Sequence, residues 1–232
     1  MNNAVQSIQI SDLAIAFVPV LVVVVILYRW SCEGGVALYA VARMLVQLLL
    51  VGYVLALIFE SERATTAITV LAFMLVTASW IALRPIQGKR RRLYSKALIS
   101  IVIGGVTTLL LVTQGVLRLE PWFSPRHMIP LGGMIFANAM NTVSIAAERF
   151  EAEIEDDKDY YGARRTALRA ALIPLTNSLF AVGLVSFPGM MTGQILSGVS
   201  ALVAARYQIM VMCMIFGSAG ISSACYLQLR KP

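Results

Sequence analysis

Charge is what this sequence has least of. Of 232 residues only 13% are Asp, Glu, Lys or Arg, against 59% hydrophobic, and mean hydropathy is +0.79. Soluble domains carry about 25% charged and about 45–50% apolar residues. A soluble globular enzyme and a disordered chain are therefore both excluded. Histidine is almost missing: His127, at the edge of an apolar run, is the one copy. The three cysteines, Cys32, Cys213 and Cys225, form no C-x-x-C. An odd three builds neither a disulfide framework nor a zinc site, and they read as small apolar fillers. No G-x-x-x-x-G-K-[ST] is present, so the chain has no phosphate-cradling loop for ATP, and neither H-E-x-x-H nor G-x-S-x-G occurs. One histidine and no paired carboxylates in the apolar runs argue against a membrane protease. The net charge of +7 fits the basic loops of an inner-membrane protein and asks for no nucleic acid.

What is present is a series of apolar runs. A hydrocarbon core of about 30 Å needs about 20 helical residues. Residues 13–28, 34–59 (broken by Arg43), 64–83, 97–117, 128–147 and 207–229 supply such runs, and 170–205 is uncharged but too long for one helix. Residues 1–12 hold no Lys or Arg, so the first run reads as a retained span, not a signal peptide. Arg84, Lys89, Arg90, Arg91, Arg92 and Lys96 make one loop cytoplasmic. Segment 148–169, with five more basic residues, lies two spans later and faces the same side, as do Arg230 and Lys231. An even number of crossings then separates 169 from 230. One helix in about 171–187 and one in 207–229 meet that condition. Residues 188–205, with Pro188, Gly189, Gly193 and Gly198, then enter without crossing or lie across the outer face. The expected fold is an all-α polytopic membrane protein of about seven transmembrane helices, N-out and C-in, with a broken or re-entrant segment between the last two. No internal repeat divides it, which weighs against an inverted-repeat carrier.

Two loops stand out. RPIQGKRRRLYSK (84–96) reads first as an anchor at the anionic inner surface. ERFEAEIEDDKDYYGARRTALR (148–169) places seven acids ahead of most of its basic residues. It reads as span five prolonged into a cytoplasmic helix, a break near Gly162, and a second helix feeding span six. Mixed charge of this kind is usual for a solvated hairpin. The same hairpin, Glu155, Asp156, Tyr160, Tyr161, Gly162, Arg164 and Arg165 above all, is also where a cytoplasmic protein could act on the membrane helices.

Polar groups at membrane depth are expensive and are functional candidates. Arg43 and Gln47, four apart, share one face of span two. That face is expected to point into the bundle, as a packing pair or as the lining of a path. Asn138, Asn141 and Ser144 make one stripe on span five, near Gly132 and Gly133, which permit close helix approach. Asn177 follows Pro174, and Met190, Met191 and Gln194 sit among glycines. Thioethers suit soft metals, yet methionine also fills gaps in cores. Met210, Met212 and Met214 alternate by two, which does not stack them on one helix face.

The blocks LGGMIFANAMN (131–141), ALRAALIPLTNS (167–178), GLVSFPGMMTGQILSG (183–198) and RYQIMVMCMIFG (206–217) resemble the FetB family of ABC transporter permeases. The likeness is dense over 131–217 and keeps span order over nearly the whole chain. It implies one permease domain, residues 1–232, in a bacterial inner membrane. It implies no catalytic residue in this chain and no cofactor bound by it. ATP-Mg would be held by a separate cytoplasmic ABC ATPase subunit, FetA-like, and two permeases would pair as a homodimer. The implied function is export of iron or a related metal. One departure is EIEDDKDYYGARR, where the family more often shows an alanine-rich stretch, which implies docking tuned to a particular ATPase. The alternative is a carrier of metal or small solutes driven by an ion gradient. It would need a buried proton or sodium relay, and the apolar runs offer no carboxylate. A third class, an assembly or sensor protein with no cargo, is separated from the first by whether a soluble ATPase binds.

Overall fold

Runs of apolar residues with their backbone groups in lipid can satisfy those groups only as helices or closed barrels. The alternation a barrel strand requires is missing here. In a computed structural model, which describes residues 9–60 and 63–231 (side chains at 10–11, 53–60 and 87 excepted), the chain is helical throughout most of its length. Ten α-helices are described: α1 (Ile10–Ile15), α2 (Phe17–Arg29), α3 (Gly34–Glu60), α4 (Ala64–Ala82), α5 (Arg90–Ile101), α6 (Thr107–Leu110), α7 (Pro125–Glu155), α8 (Tyr160–Ala181), α9 (Gly189–Leu196) and α10 (Ala201–Leu229). A 3-10 segment, Arg84–Lys89, leads into α5. Wider π turns at Val102–Val106 and Leu111–Val116 flank α6, so residues 90–116 run as one long helix.

The chain divides into two units, residues 1–60 and 61–232. In the first, α2 packs on α3 across a sharp turn. Ser31 takes a left-handed φ of 56°, and a Cβ at Gly34 would meet the Tyr28 ring at 2.8 Å, so glycine permits the close return. Val24 is the one buried hydrophobic side chain described in this unit. Taken by itself, a pair of helices this apolar has little interior of its own and is suited to lipid or to other helices.

The second unit is built around α7, which packs on α10, α8 and α4. Its buried face is Leu131, Ile135, Ala139, Val143, Ala146 and Phe150, spaced at three and four. Small residues set the closeness of the helices. A Cβ at Gly104 would lie 2.2 Å from Ser222 Oγ and 2.7 Å from the Ser218 carbonyl oxygen. Ser218, Ala219, Ser222 and Ser223 are fully buried there. In lipid, where apolar area gives no driving force between helices, such close backbone approach supplies the dispersion contacts that hold them.

Among the described residues six helices are long and apolar enough to cross a membrane: Asp12–Arg29, Gly34–Gly52, Ala64–Ala82, Arg90–Val116, Pro125–Glu155 and Ala201–Leu229. The expectation was about seven, and the difference is α8. Its first half carries Arg164, Arg165 and Arg169, and it stops at Ala181. Residues 170–181 rise only about 18 Å at 1.5 Å each. A tight turn follows, closed by a Val182–Ser186 bridge, and then the short α9. Gly198, with φ of +89°, turns the chain into α10, which Ser200 caps by accepting from the Val203 amide. The expected break in 188–205 is therefore a helix, a glycine turn and the first residues of α10.

Candidate functional site

The hairpin at 148–169 is the most tightly built polar part of the molecule. The helix α7 runs on past the apolar run to Glu155 and brings two acids into burial, Glu151 and Glu153. Each is held between two cations. Lys89 donates to Glu151 Oε2, and Arg230 pairs with Oε1 of the same carboxylate. Arg149 pairs with Glu153 from the preceding turn, and Lys158 donates to it from the loop. Carboxylates on this helix thus tie together the 84–96 loop, the α7–α8 turn and the C-terminal end of α10.

The break expected near Gly162 falls at 156–159, with Asp157 left-handed (φ 57°), and leaves Gly162 inside α8. Asp159 is the reason. It is the N-cap of α8, and its side chain accepts from the Gly162 amide at 3.2 Å. A Cβ on residue 162 would come within 2.7 Å of Asp159 Oδ1, so glycine here makes room for the cap inside the helix. Tyr160 points inward. Its ring meets Phe150 edge to face at 6.0 Å, and its hydroxyl donates to the Leu227 carbonyl at 2.9 Å. Arg164 also points inward, donating to Gln228 Oε1 at 2.9 Å and lying 5.6 and 5.4 Å from the Tyr160 and Tyr161 rings. Glu155, Asp156, Tyr161 and Arg165 point outward. Tyr161 is 60% exposed, a large aromatic side chain near the tip of the hairpin.

Within the membrane-spanning region, Asn138, Asn141 and Ser144 do share a stripe of α7. Asn138 is partly covered and donates to the Met134 carbonyl in its own helix at 2.8 Å, whereas Asn141 is exposed. Ser144 is half-buried like Asn138, so of the three only Asn141 lies bare. Asn177 is exposed on α8. In the first unit, Arg43 and Gln47 are exposed on α3, where they were expected to face the interior of the bundle. A two-helix unit has no interior large enough to take them.

The methionines divide. Met191 lines a cavity of about 380 Å³ between α8, α9 and α10, together with Gln208, Met212 and Cys213 and the apolar Leu179 and Ile209. Met190 is exposed. Gln208 is buried, and the Oε1 atoms of both Gln208 and Gln194 have no hydrogen-bond partner among the described residues. A buried amide oxygen left unpaired costs about 1–3 kcal/mol, so both are acceptors in want of a donor or a cation. The cavity lining contains none of Asn138, Asn141, Ser144 or Asn177, so the structure does not join the two polar groups in one place. Gln208 is an addition to the residues singled out from sequence, where Met212 had no helix-face argument for a ligand role and Cys213 was read as an apolar filler. Gln208 follows Arg206 at the head of the last apolar run and reads there as a boundary residue. No group of three or more His, Cys, Asp or Glu side chains among the described residues is placed to hold a metal ion. What the cavity offers is two thioethers and a thiol, soft donors, beside one harder amide oxygen, all without charge.

Residues 10–164 and 160–231 match the Uncharacterised protein family (UPF0014). The chain is 35% identical to the Probable iron export permease protein FetB of Escherichia coli (strain K12), over 95% of this chain and 90% of that protein. It is 34% identical to the Protein ALUMINUM SENSITIVE 3 of Arabidopsis thaliana, over 94% and 85%. With a UPF0014 membrane protein of Synechocystis sp. the identity is 36%, over 78% and 76%. No solved structure matches.

Proposed function

Since the chain belongs to the uncharacterised protein family UPF0014, a family of membrane proteins with a permease among its members, we propose that it is the permease half of an ABC exporter for iron or a related metal. The coarse part of this, a multi-pass membrane permease, follows from the family and the six apolar helices. The finer part is supported by one observation: the α7–α8 hairpin is tied at its base to other elements. Buried carboxylates, the Tyr160–Leu227 bond and the Arg164–Gln228 bond fasten its base to α10 and to the 84–96 loop. Glu155, Asp156, Tyr161 and Arg165 are among the side chains left outward to meet a partner.

A projection fastened to a membrane helix is what a transporter needs if force is applied from outside the membrane. The chain has no phosphate loop of its own. A cytoplasmic ATPase subunit, FetA-like, with ATP-Mg on that partner, would grip the hairpin. Closing the ATPases would turn α7 and α8 as a body, because ion pairs and a packed ring at the hinge leave little give. Two permeases would face one another, with the partly exposed Asn138–Asn141–Ser144 stripe of α7 between them. A partly exposed amide stripe in hydrocarbon is costly, and a second copy or a water-lined path covers it. The sulfur-lined cavity beside α9 is a second station, of a chemistry that favours a soft or complexed metal over a bare hard cation. The membrane is the bacterial inner membrane.

Co-reconstitution with a FetA-like ATPase subunit tests the reading. ATP-dependent metal flux is expected in vesicles holding both subunits, and is expected to fall on Asn138→Ala, Asn141→Ala or Met191→Ala. The combined Tyr161→Ala and Arg165→Glu change is expected to abolish co-purification of the ATPase while the permease stays folded. Metal export by the purified chain without ATP or partner would overturn it.

A further inference from the structure

The ion pairs at the hairpin base leave an imbalance on the opposite side of Lys89. The 84–96 segment and the C-terminus of α10 meet there, since α10 packs on α5. Between them lies a cavity of about 310 Å³ lined by Lys89, Arg92, Leu93, Lys96, Arg230 and Lys231. Five of the six lining side chains are cations. One carboxylate, Glu151, serves two of them, Lys89 and Arg230. No acidic side chain among the described residues pairs with Arg92, Lys96 or Lys231.

This is a costly arrangement unless something anionic completes it. Arg92 and Lys96 stand four apart on one helix face, where like charges repel. The N-terminus of α5, the positive end of its dipole, lies at the same end and adds to the field. The neighbouring Arg90 is engaged elsewhere: it donates twice to the Trp80 carbonyl and stacks over its ring at 3.9 Å. The lining cations are instead directed around a void whose floor is the buried Leu93. Its depth matters too. Lys96 lies about 9 Å along the helix from Arg90, next to the start of the apolar run at 97. The cavity therefore spans the boundary where charged headgroups give way to hydrocarbon.

We propose that this cavity binds the phosphate-bearing headgroup of an anionic phospholipid, with Arg92, Lys96 and Lys231 taking the phosphate oxygens and Lys89 and Arg230 completing the ring. Basic recesses between membrane helices on the positively charged side are suited to such headgroups. The acyl chains would run along the apolar flank of α5. The proposal stands apart from the transport reading, since it needs neither an ATPase nor a cargo.

The test uses the full chain purified into nanodiscs of phosphatidylcholine carrying a minor share of phosphatidylglycerol, with retained lipid counted by native mass spectrometry. The paired change Arg92→Gln and Lys96→Gln is expected to lower phosphatidylglycerol retention about thirtyfold, about fivefold for each cation removed. Arg84→Gln with Arg91→Gln, which removes equal charge from the same segment outside the cavity, is expected to change it less than about twofold. Arg92→Lys with Lys96→Arg keeps the charge and is expected to restore retention, which separates loss of the site from loss of fold. Inorganic phosphate and glycerol 3-phosphate are the free-anion arms and are expected not to displace the lipid. Equal losses in the two neutralised pairs would reduce the effect to general surface attraction and overturn the proposal. Displacement by inorganic phosphate would overturn it too, by making the site one for a free anion.

Discussion

Two glycines on this chain do opposite things, and only their surroundings tell them apart. Gly104 is pressed against Ser218 and Ser222, with no room for a methyl group. Gly220, on the same helix as those serines, has open space around its missing Cβ. Gly104→Val is expected to lower the melting temperature of the detergent-solubilised protein, at a cost of about 1–3 kcal/mol from overpacking. Gly220→Ala is expected to leave it unchanged or slightly raised, and differential scanning fluorimetry reads both. Asp159 gives a second prediction at this scale. Removing its cap by Asp159→Ala is expected to cost about 1 kcal/mol and to fray the first turn of α8. Faster amide exchange at 160–163, with α10 unaffected, is the signature to look for.

At the scale of elements, the α7–α8 hairpin is a lever whose base is electrostatic. Glu151 shares its two oxygens between a loop lysine and the C-terminal arginine. Glu151→Gln is expected to destabilise by about 1–2 kcal/mol, less than a fully buried pair would lose, because Lys89 is 53% exposed and finds water instead. The loss is expected to shrink at high salt, since the partners are partly screened. Chemical denaturation of wild type and variant in low and high salt checks both the size and the trend. How much of this element was legible beforehand is instructive. The long polar insertion and the two helices follow from the run of acids ahead of arginines, whereas which of the two tyrosines turns outward does not. Nor does the position of the break, because a glycine normally reads as a helix stop. Here Gly162 serves the Asp159 cap and sits inside the helix instead.

The whole molecule carries three basic segments far apart in sequence, and the second unit gathers them at one end. Lys89, Glu151 and Arg230 touch there, and Tyr160 reaches Leu227, while Trp122 and Phe123 lie before α7 at the other end of that helix. Single cysteines at Gly88 and Asp157, in a chain with Cys32, Cys213 and Cys225 changed to serine, are expected to react with an impermeant maleimide from the cytoplasmic face only. A cysteine at Phe123 is expected to react from the outer face only. Labelling of positions 88 and 157 from opposite faces would break the arrangement of α5 and α7 described above.

Composition and charge order were enough to establish that this is a helical membrane protein, roughly where it crosses and which loops share a side, because those properties depend on short stretches meeting lipid or water. The resemblance of the blocks at 131–217 pointed to the family in the same local way. Which polar groups turn inward was decided only by packing. Asn141 and Gln208 are both amides in apolar runs, yet one lies bare on α7 and the other is buried against α8 and α9. Glu151 became a clamp, and Lys89 and Arg230 its jaws, through contacts to residues 62 positions before it and 79 after it, since 151 less 89 and 230 less 151 give those separations. A helix period reports which residues share a face. It carries no information about which other helix will come to cover that face.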